Sequence, residues 1–413
     1  MYLDRLSVVK ARNLLQLSYC TIVYSLLNLW VKSVWGYFYG SRVMLIRFKK
    51  NKTSPLRLGI LKIARKKTEY NGERNGSELA AKCWLKNKTG SVLEIGRRNR
   101  ALCVLSSLPF PATAGHNIKT LHELLTEGIA SDAKAVFRKV GEIYGASLRD
   151  ASVRSGTPYE HYLNTIRSWH QKVTEFHWKK MRLPKRDTDR FKMDAKNNWI
   201  NPFSCLRSKD CWEPDRKISL AWNWQHGYFN TRNVLVNTDP FESGCNGAPF
   251  CFINLEKVSE SSALLDLCWI SLWALQADAE RSKDSNSVQT WNNLPAIFVN
   301  RTLGQLSGLI DDKAKASGVF QLGLDCAGET FSGMKATSPF SDSVMLHEMA
   351  AITLAAAALA KCYYEQRDLK RAKIDPKVRL ENWRRAKCFF GISSLSLQTF
   401  LKASSRRTTR TPV

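Results

Sequence analysis

Three stretches of this sequence carry residue types suited to handling phosphate groups. The first is the octet His226-Gly227-Tyr228-Phe229-Asn230-Thr231-Arg232-Asn233, which runs into the apolar triplet Val234-Leu235-Val236. The second, Phe252-Ile253-Asn254-Leu255-Glu256, sets an amide and a carboxylate two positions apart. The third is Lys62, in the middle of the β-prone run Ile60-Leu61-Lys62-Ile63-Ala64. Phosphoryl transfer needs few protein groups: a lysine to orient the phosphates, a base for the attacking hydroxyl, and carboxylate or amide oxygens for Mg²⁺. The three stretches supply the lysine, three asparagines and one carboxylate, but no aspartate.

The octet and its strand resemble the catalytic loop of the kinase-like superfamily, where His-Gly-Asp or His-Arg-Asp is followed by four residues, an Asn and an apolar strand. Glycine after the histidine makes the aminoglycoside and choline kinase branch the nearer one. Ile253-Asn254-Leu255-Glu256 is similar to that branch's magnesium-binding Ile-Asp-Phe-Glu, and Asp266-Leu267 to the Asp-Leu of its following helix. Lys62 resembles the phosphate-binding lysine, and the resemblance implies an acidic partner on the next helix: Glu78, with Glu73 as the alternative. The layout is most similar to ternary-complex-associated phosphotransferase-like domains. On this resemblance the catalytic positions are His226, Tyr228 and Asn233, the nucleotide contacts Lys62 and Glu78, and the metal positions Asn233, Asn254 and Glu256. ATP is the implied cofactor, with Mg²⁺ weakly held.

Two positions depart from the pattern. Tyr228 stands where the base is expected, and a phenol titrating at about 10 is a poor proton acceptor near neutrality. Asn254 stands where the metal carboxylate is expected and removes a negative charge beside the ion. A degenerate member is therefore expected, binding a nucleotide or a protein partner with weak or no phosphotransfer. The alternatives are an active phosphotransferase that uses Glu256, and a protein that binds nucleic acid or another anionic surface.

The last alternative rests on charge. Lys and Arg number 63 against 36 Asp and Glu, a net +27 that attracts polyanions. Eleven cysteines without a regular framework suit a reducing, cytoplasmic compartment. Cys205, Cys211, Cys245 and Cys251 form two pairs spaced too widely for the usual zinc hairpin. His347-Glu348 lacks the second histidine of a zinc-protease helix, because Ala351 holds that position.

The elements that must position these residues follow from hydrophobic period and turn chemistry. The resemblance implies an α+β, bilobal protein-kinase-like fold with a small β-rich N-lobe and a larger helical C-lobe. Residues 1–42 read as a helical, aromatic-rich lead-in. Its apolar stretch 18–31 is too short to span a membrane, and 18–39 suits a peripheral contact. Residues 43–110 form the small lobe: a hairpin of 43–48 with 58–64, a short helix over 78–85 capped by Ser77, and strands at 93–95 and 101–105. Residues 111–403 form the helical lobe, with an amphipathic helix over 159–183 stopped by Pro184 and a buried helix over 263–277. Residues 278–340 read as loop-rich, and 404–413 as a basic, disordered tail.

Overall fold

The computed structural model describes residues 19–25, 42–49, 52–64, 67–83, 85, 91–98, 101–110, 117–156, 185–186, 189, 199–205, 218–238, 250–262, 264–281, 288–304, 320–339, 353, 355–357, 359–360, 363–364 and 375–408. Helices and antiparallel sheets are both present and largely segregated along the chain, an α+β organisation. The chain divides into two compact units, 1–124 with 226–259, and 125–225 with 260–413. The segment 226–259, expected in the helical lobe, therefore groups with the strands of the first unit.

The first unit is built on a five-stranded antiparallel sheet. Its strands are β1 (Tyr19–Ser25), β2 (Arg42–Lys49), β3 (Arg57–Ala64), β4 (Ser91–Arg98) and β5 (Ala101–Ser107), in the order β1-β2-β3-β5-β4. The β2–β3 hairpin and the β4 and β5 strands match expectation. β1 does not, since Tyr19–Ser25 is a strand and not part of a helix. The reason is composition: Tyr, Thr, Ile and Val fit a pleated surface, and the β2 edge supplies the backbone partners. Residues 26–39 lie outside the described residues.

Helix α1 (Lys67–Ala80) follows β3. It ends where the expected helix over 78–85 was to begin, so Ser77 lies within its last turn and is not an N-cap. Two glycines and two asparagines in KTEYNGERNGSELA give this helix weak intrinsic propensity. Tertiary contact has to hold it.

A second sheet in this unit contains β6 (Ile118–Thr120), β9 (Val234–Asn237) and β10 (Phe250–Phe252), with β9 in the middle. Leu45, Leu58, Ile60, Leu108 and Phe110 from the first sheet region pack with Leu235, Cys251 and Ile253 from the second. That shared core fixes the β9–β10 hairpin against β2 and β3. Helix α2 (Leu121–Glu127) starts with a capping box: the Glu123 N–H donates to Thr120 Oγ1 (3.2 Å), and the Thr120 N–H donates to Glu123 Oε2 (2.7 Å).

The second unit is mainly helical. Strands β7 (Ser152–Gly156), β8 (Ile218–Gln225) and β11 (Ser259–Ser262) form a small sheet with β8 central. Its helices are α3 (Ala130–Ser147), α4 (Leu265–Arg281), α5 (Val288–Val299), α6 (Gln321–Thr337) and α7 (Pro376–Thr408). α4 is buried from Leu265 to Ala279, as its almost continuous apolar run predicts. Its two buried carboxylates are both satisfied. Asp266 accepts from Tyr144 Oη (2.8 Å), and Asp278 accepts from the Gly323 N–H (2.8 Å) and pairs with Arg281. α3 and α6 touch backbone to backbone. A Cβ on Gly141 would lie 1.9 Å from the Thr330 carbonyl oxygen, and one on Gly333 would lie 2.2 Å from that of Arg138.

Residues 278–340 hold two helices, so the loop-rich expectation is corrected there. α7 runs to Thr408, so 404–408 are helical as well. The helix expected over 159–183 lies outside the described residues, as do Cys211, Cys245, His347 and Glu348. Among the described residues, no helix is long and apolar enough to cross a membrane.

Candidate functional site

Lys62 sits on β3, the central strand of the five-stranded sheet, paired opposite Val43 and Val104. Side chains alternate along a strand, so Lys62 shares a face with Leu58 and Ile60 and points the way the core does. It is 6% exposed. A buried ammonium needs partners, and its three hydrogens have three acceptors: Glu73 Oε2 at 2.7 Å, Asn254 Oδ1 at 2.9 Å and Glu256 Oε2 at 3.4 Å. Burial pulls the Lys62 pKa down, but the Glu73 and Glu256 carboxylates more than offset it and leave the value raised.

The acidic partner is therefore Glu73 and not Glu78. Glu78 is exposed and pairs with Arg74 at 2.9 Å on the outer side of α1. The five positions from Glu73 to Glu78 carry the side chain round to the other side of the helix. Gly72, Glu73, Gly76 and Ser77 form the inner face, and Glu78 falls off it. Glu73 is also used twice: Oε2 takes Lys62, and Oε1 accepts the Leu255 N–H at 3.1 Å.

α1 approaches the 254–256 segment through its glycines. A Cβ on Gly76 would lie 1.6 Å from the Leu255 carbonyl oxygen, and one on Gly72 would lie 3.3 Å from Glu256. Any side chain at 76 would push the helix off the loop. The Gly-Glu-x-x-Gly pattern was the sequence signal for this contact, and sequence reasoning missed it.

The octet is braced from within. The His226 ring is fully buried, and its Nδ1 accepts the Tyr228 N–H at 3.3 Å. Nε2 is then the protonated nitrogen, and it donates to the Ile253 carbonyl at 2.8 Å. Phe229 and Phe252 pack on this ring and meet edge to face with centroids 4.8 Å apart. Asn230 Oδ1 accepts the Arg232 N–H (2.9 Å) and opens one 3₁₀ turn, Thr231–Asn233. Asn233 Nδ2 donates to the Tyr228 carbonyl (2.8 Å), and the Asn233 carbonyl accepts the Ile253 N–H (3.0 Å). His226 and Asn233 thus hold both backbone polar groups of Ile253, and the next residue is Asn254.

Asn254 has φ +65°, in the left-handed region that asparagine tolerates better than most residues. The structure brings together Lys62, Asn254 and Glu256 directly, and His226 and Asn233 through Ile253. Tyr228 contributes its backbone to the loop and is partly exposed. Oxygen donors for a cation are the amides of Asn233 and Asn254 and the carboxylate of Glu256. Two of these three already face the Lys62 ammonium. Among the described residues, no group of three or more His, Cys, Asp or Glu is arranged to hold a metal ion. Cys251 lies beneath the site, buried and without a disulfide, and burial pushes its thiol pKa far up.

No protein-family model matches the sequence. A comparison with curated proteins finds no match either. Solved structures that resemble the chain include a glucosamine kinase in complex with glucosamine, ADP and inorganic phosphate. It has 11% identity and a TM-score of 0.40, over 90% of this chain and 82% of that one. Another is a choline kinase from Cryptosporidium parvum Iowa II, with 8% identity and a TM-score of 0.32, over 91% of this chain and 89% of that one. Similarity at this level is too low to carry an argument about function.

Proposed function

We propose that this chain is a degenerate kinase-like protein of bilobal design that binds a nucleotide through Lys62 and performs phosphotransfer slowly or not at all. The observation that carries the reading is the Lys62–Glu73 pair, 2.7 Å long and buried, joined to Asn254 at 2.9 Å across 192 positions of sequence. A strand lysine, a helix glutamate and a loop held by a histidine-asparagine brace are the parts that phosphate positioning requires. Tyr228 and Asn254 are the reason chemistry is slow. One lacks a basic atom at neutral pH, and the other lacks the charge that magnesium prefers.

ATP is expected to raise the thermal midpoint of the native protein, and Lys62→Ala to abolish that rise. Replacing magnesium with EDTA is expected to change the rise little in the native protein. Asn254→Asp is expected to make it magnesium-dependent. Unaltered stabilisation of Lys62→Ala by ATP would sink the assignment.

The position of Glu256 favours one second reading, an active phosphotransferase in which this carboxylate replaces the missing one. Steady phosphate release that Glu256→Ala abolishes would establish it. The net charge of +27 supports polyanion contact. Nucleic-acid binding that weakens steeply between low and moderate salt is its signature.

A further inference from the structure

We infer that Glu256 is a latch on Lys62 which the phosphates of an incoming nucleotide must displace. The inference rests on the reading of Lys62 as the phosphate contact. An ammonium has three donor hydrogens, and three protein oxygens lie within hydrogen-bonding reach of Lys62 Nζ. A phosphate oxygen can reach Lys62 only by taking over one of these contacts.

The three are unequal. Glu73 is nearest, is buried, and is held from its other oxygen by the Leu255 N–H. Asn254 is fixed by its left-handed backbone and by the neighbouring Ile253 backbone, which His226 and Asn233 clasp. Glu256 has the longest contact, 3.4 Å, and the most exposed side chain of the three ionic partners, 22% against 8% for Lys62 and 7% for Glu73. It is the partner that can leave toward solvent at least cost.

Charge works in the same direction. Lys62 is matched by two carboxylates, one more than neutrality needs, and the second repels a phosphate approaching the same ammonium. With Glu256 seated the site disfavours anions. With Glu256 withdrawn, the Lys62–Glu73 pair remains and one donor is released. Glu256 is thus a positioning residue that sets nucleotide affinity through Lys62.

The test is ATP affinity, measured by calorimetry in EDTA at constant ionic strength for native protein, Glu256→Gln, Lys62→Ala and the double variant. Circular dichroism and thermal midpoints establish that each is folded, and Glu256→Ala replaces Glu256→Gln if the latter is not. The expected result is at least about fivefold tighter ATP binding by Glu256→Gln, with no such gain in the Lys62→Ala background. Equal or weaker binding by folded Glu256→Gln overturns the latch and leaves the nucleotide reading standing. A gain that persists without Lys62 also overturns the latch, because it shows only a general charge effect. Binding that does not depend on Lys62, or no binding by any variant, overturns the nucleotide reading and the latch with it.

Discussion

Each unit contains a cluster of one ion with several partners, and the two clusters differ in the sign of the central charge and in burial. In the first unit, buried Lys62 gathers buried Glu73 and the partly exposed Asn254 and Glu256. In the second, Asp325 gathers Lys134 at 2.6 Å, Arg301 at 2.8 Å and Gln321, beside a polar cavity of about 270 Å³ also lined by Glu329 and Ser332. The lysine and arginine there are 39% and 42% exposed. Water already serves them, so the pairs add little, whereas Lys62 has only protein to rely on. Burial, more than the number of contacts, decides which cluster the fold depends on.

The largest test of that contrast is Glu73→Ala. It leaves a buried ammonium short of its main counter-charge and the Leu255 N–H without its acceptor. A loss of about 3–5 kcal/mol in denaturant unfolding is expected. A loss below about 1 kcal/mol would place the cluster in the same class as the exposed one.

Gly76→Ala comes next. Alanine is the better helix former by about 1 kcal/mol, but its Cβ would meet a backbone oxygen that cannot move without moving the loop. A net loss of about 1–3 kcal/mol is expected, with ATP stabilisation reduced along with it.

A gradual effect should appear with pH. The Lys62 value is raised in the folded state, so its contribution is fully present below the unfolded value of about 10.4 and is lost as pH rises through the folded one. The difference in thermal midpoint between native protein and Lys62→Met is therefore expected to stay level from neutrality to about pH 10 and to shrink above it. The smallest effect belongs to the exposed cluster. Asp325→Asn is expected to cost less than about 1 kcal/mol and to lose most of that in high salt.

Much of the site was legible because its parts are local patterns. The octet, its apolar strand and the Asn254 segment each fit within a few residues, and the β9–β10 hairpin places them side by side. Lys62 was legible as a charge inside an apolar strand. Its partner was harder, because the choice between Glu73 and Glu78 depends on which face of α1 turns inward. That face is marked by glycines, which carry no hydrophobic signal. The same gap hid α1 itself, whose polar, glycine-bearing sequence folds only because the 254–256 segment lies against it. β1 was misread for the opposite reason. Its apolar run fits helix or strand equally well, and only the β2 edge decides between them.

The left-handed backbone at position 254 also limits which residues the loop can accept. At φ +65° glycine, asparagine and aspartate are accommodated readily, while a β-branched or bulky side chain would strain the turn. Of those three, asparagine keeps the shape of aspartate and changes only its charge. Asn254→Asp would therefore add a negative charge beside Lys62 with almost no alteration of the loop's form. The backbone at this position thus lets the charge of the site be changed without refolding the loop.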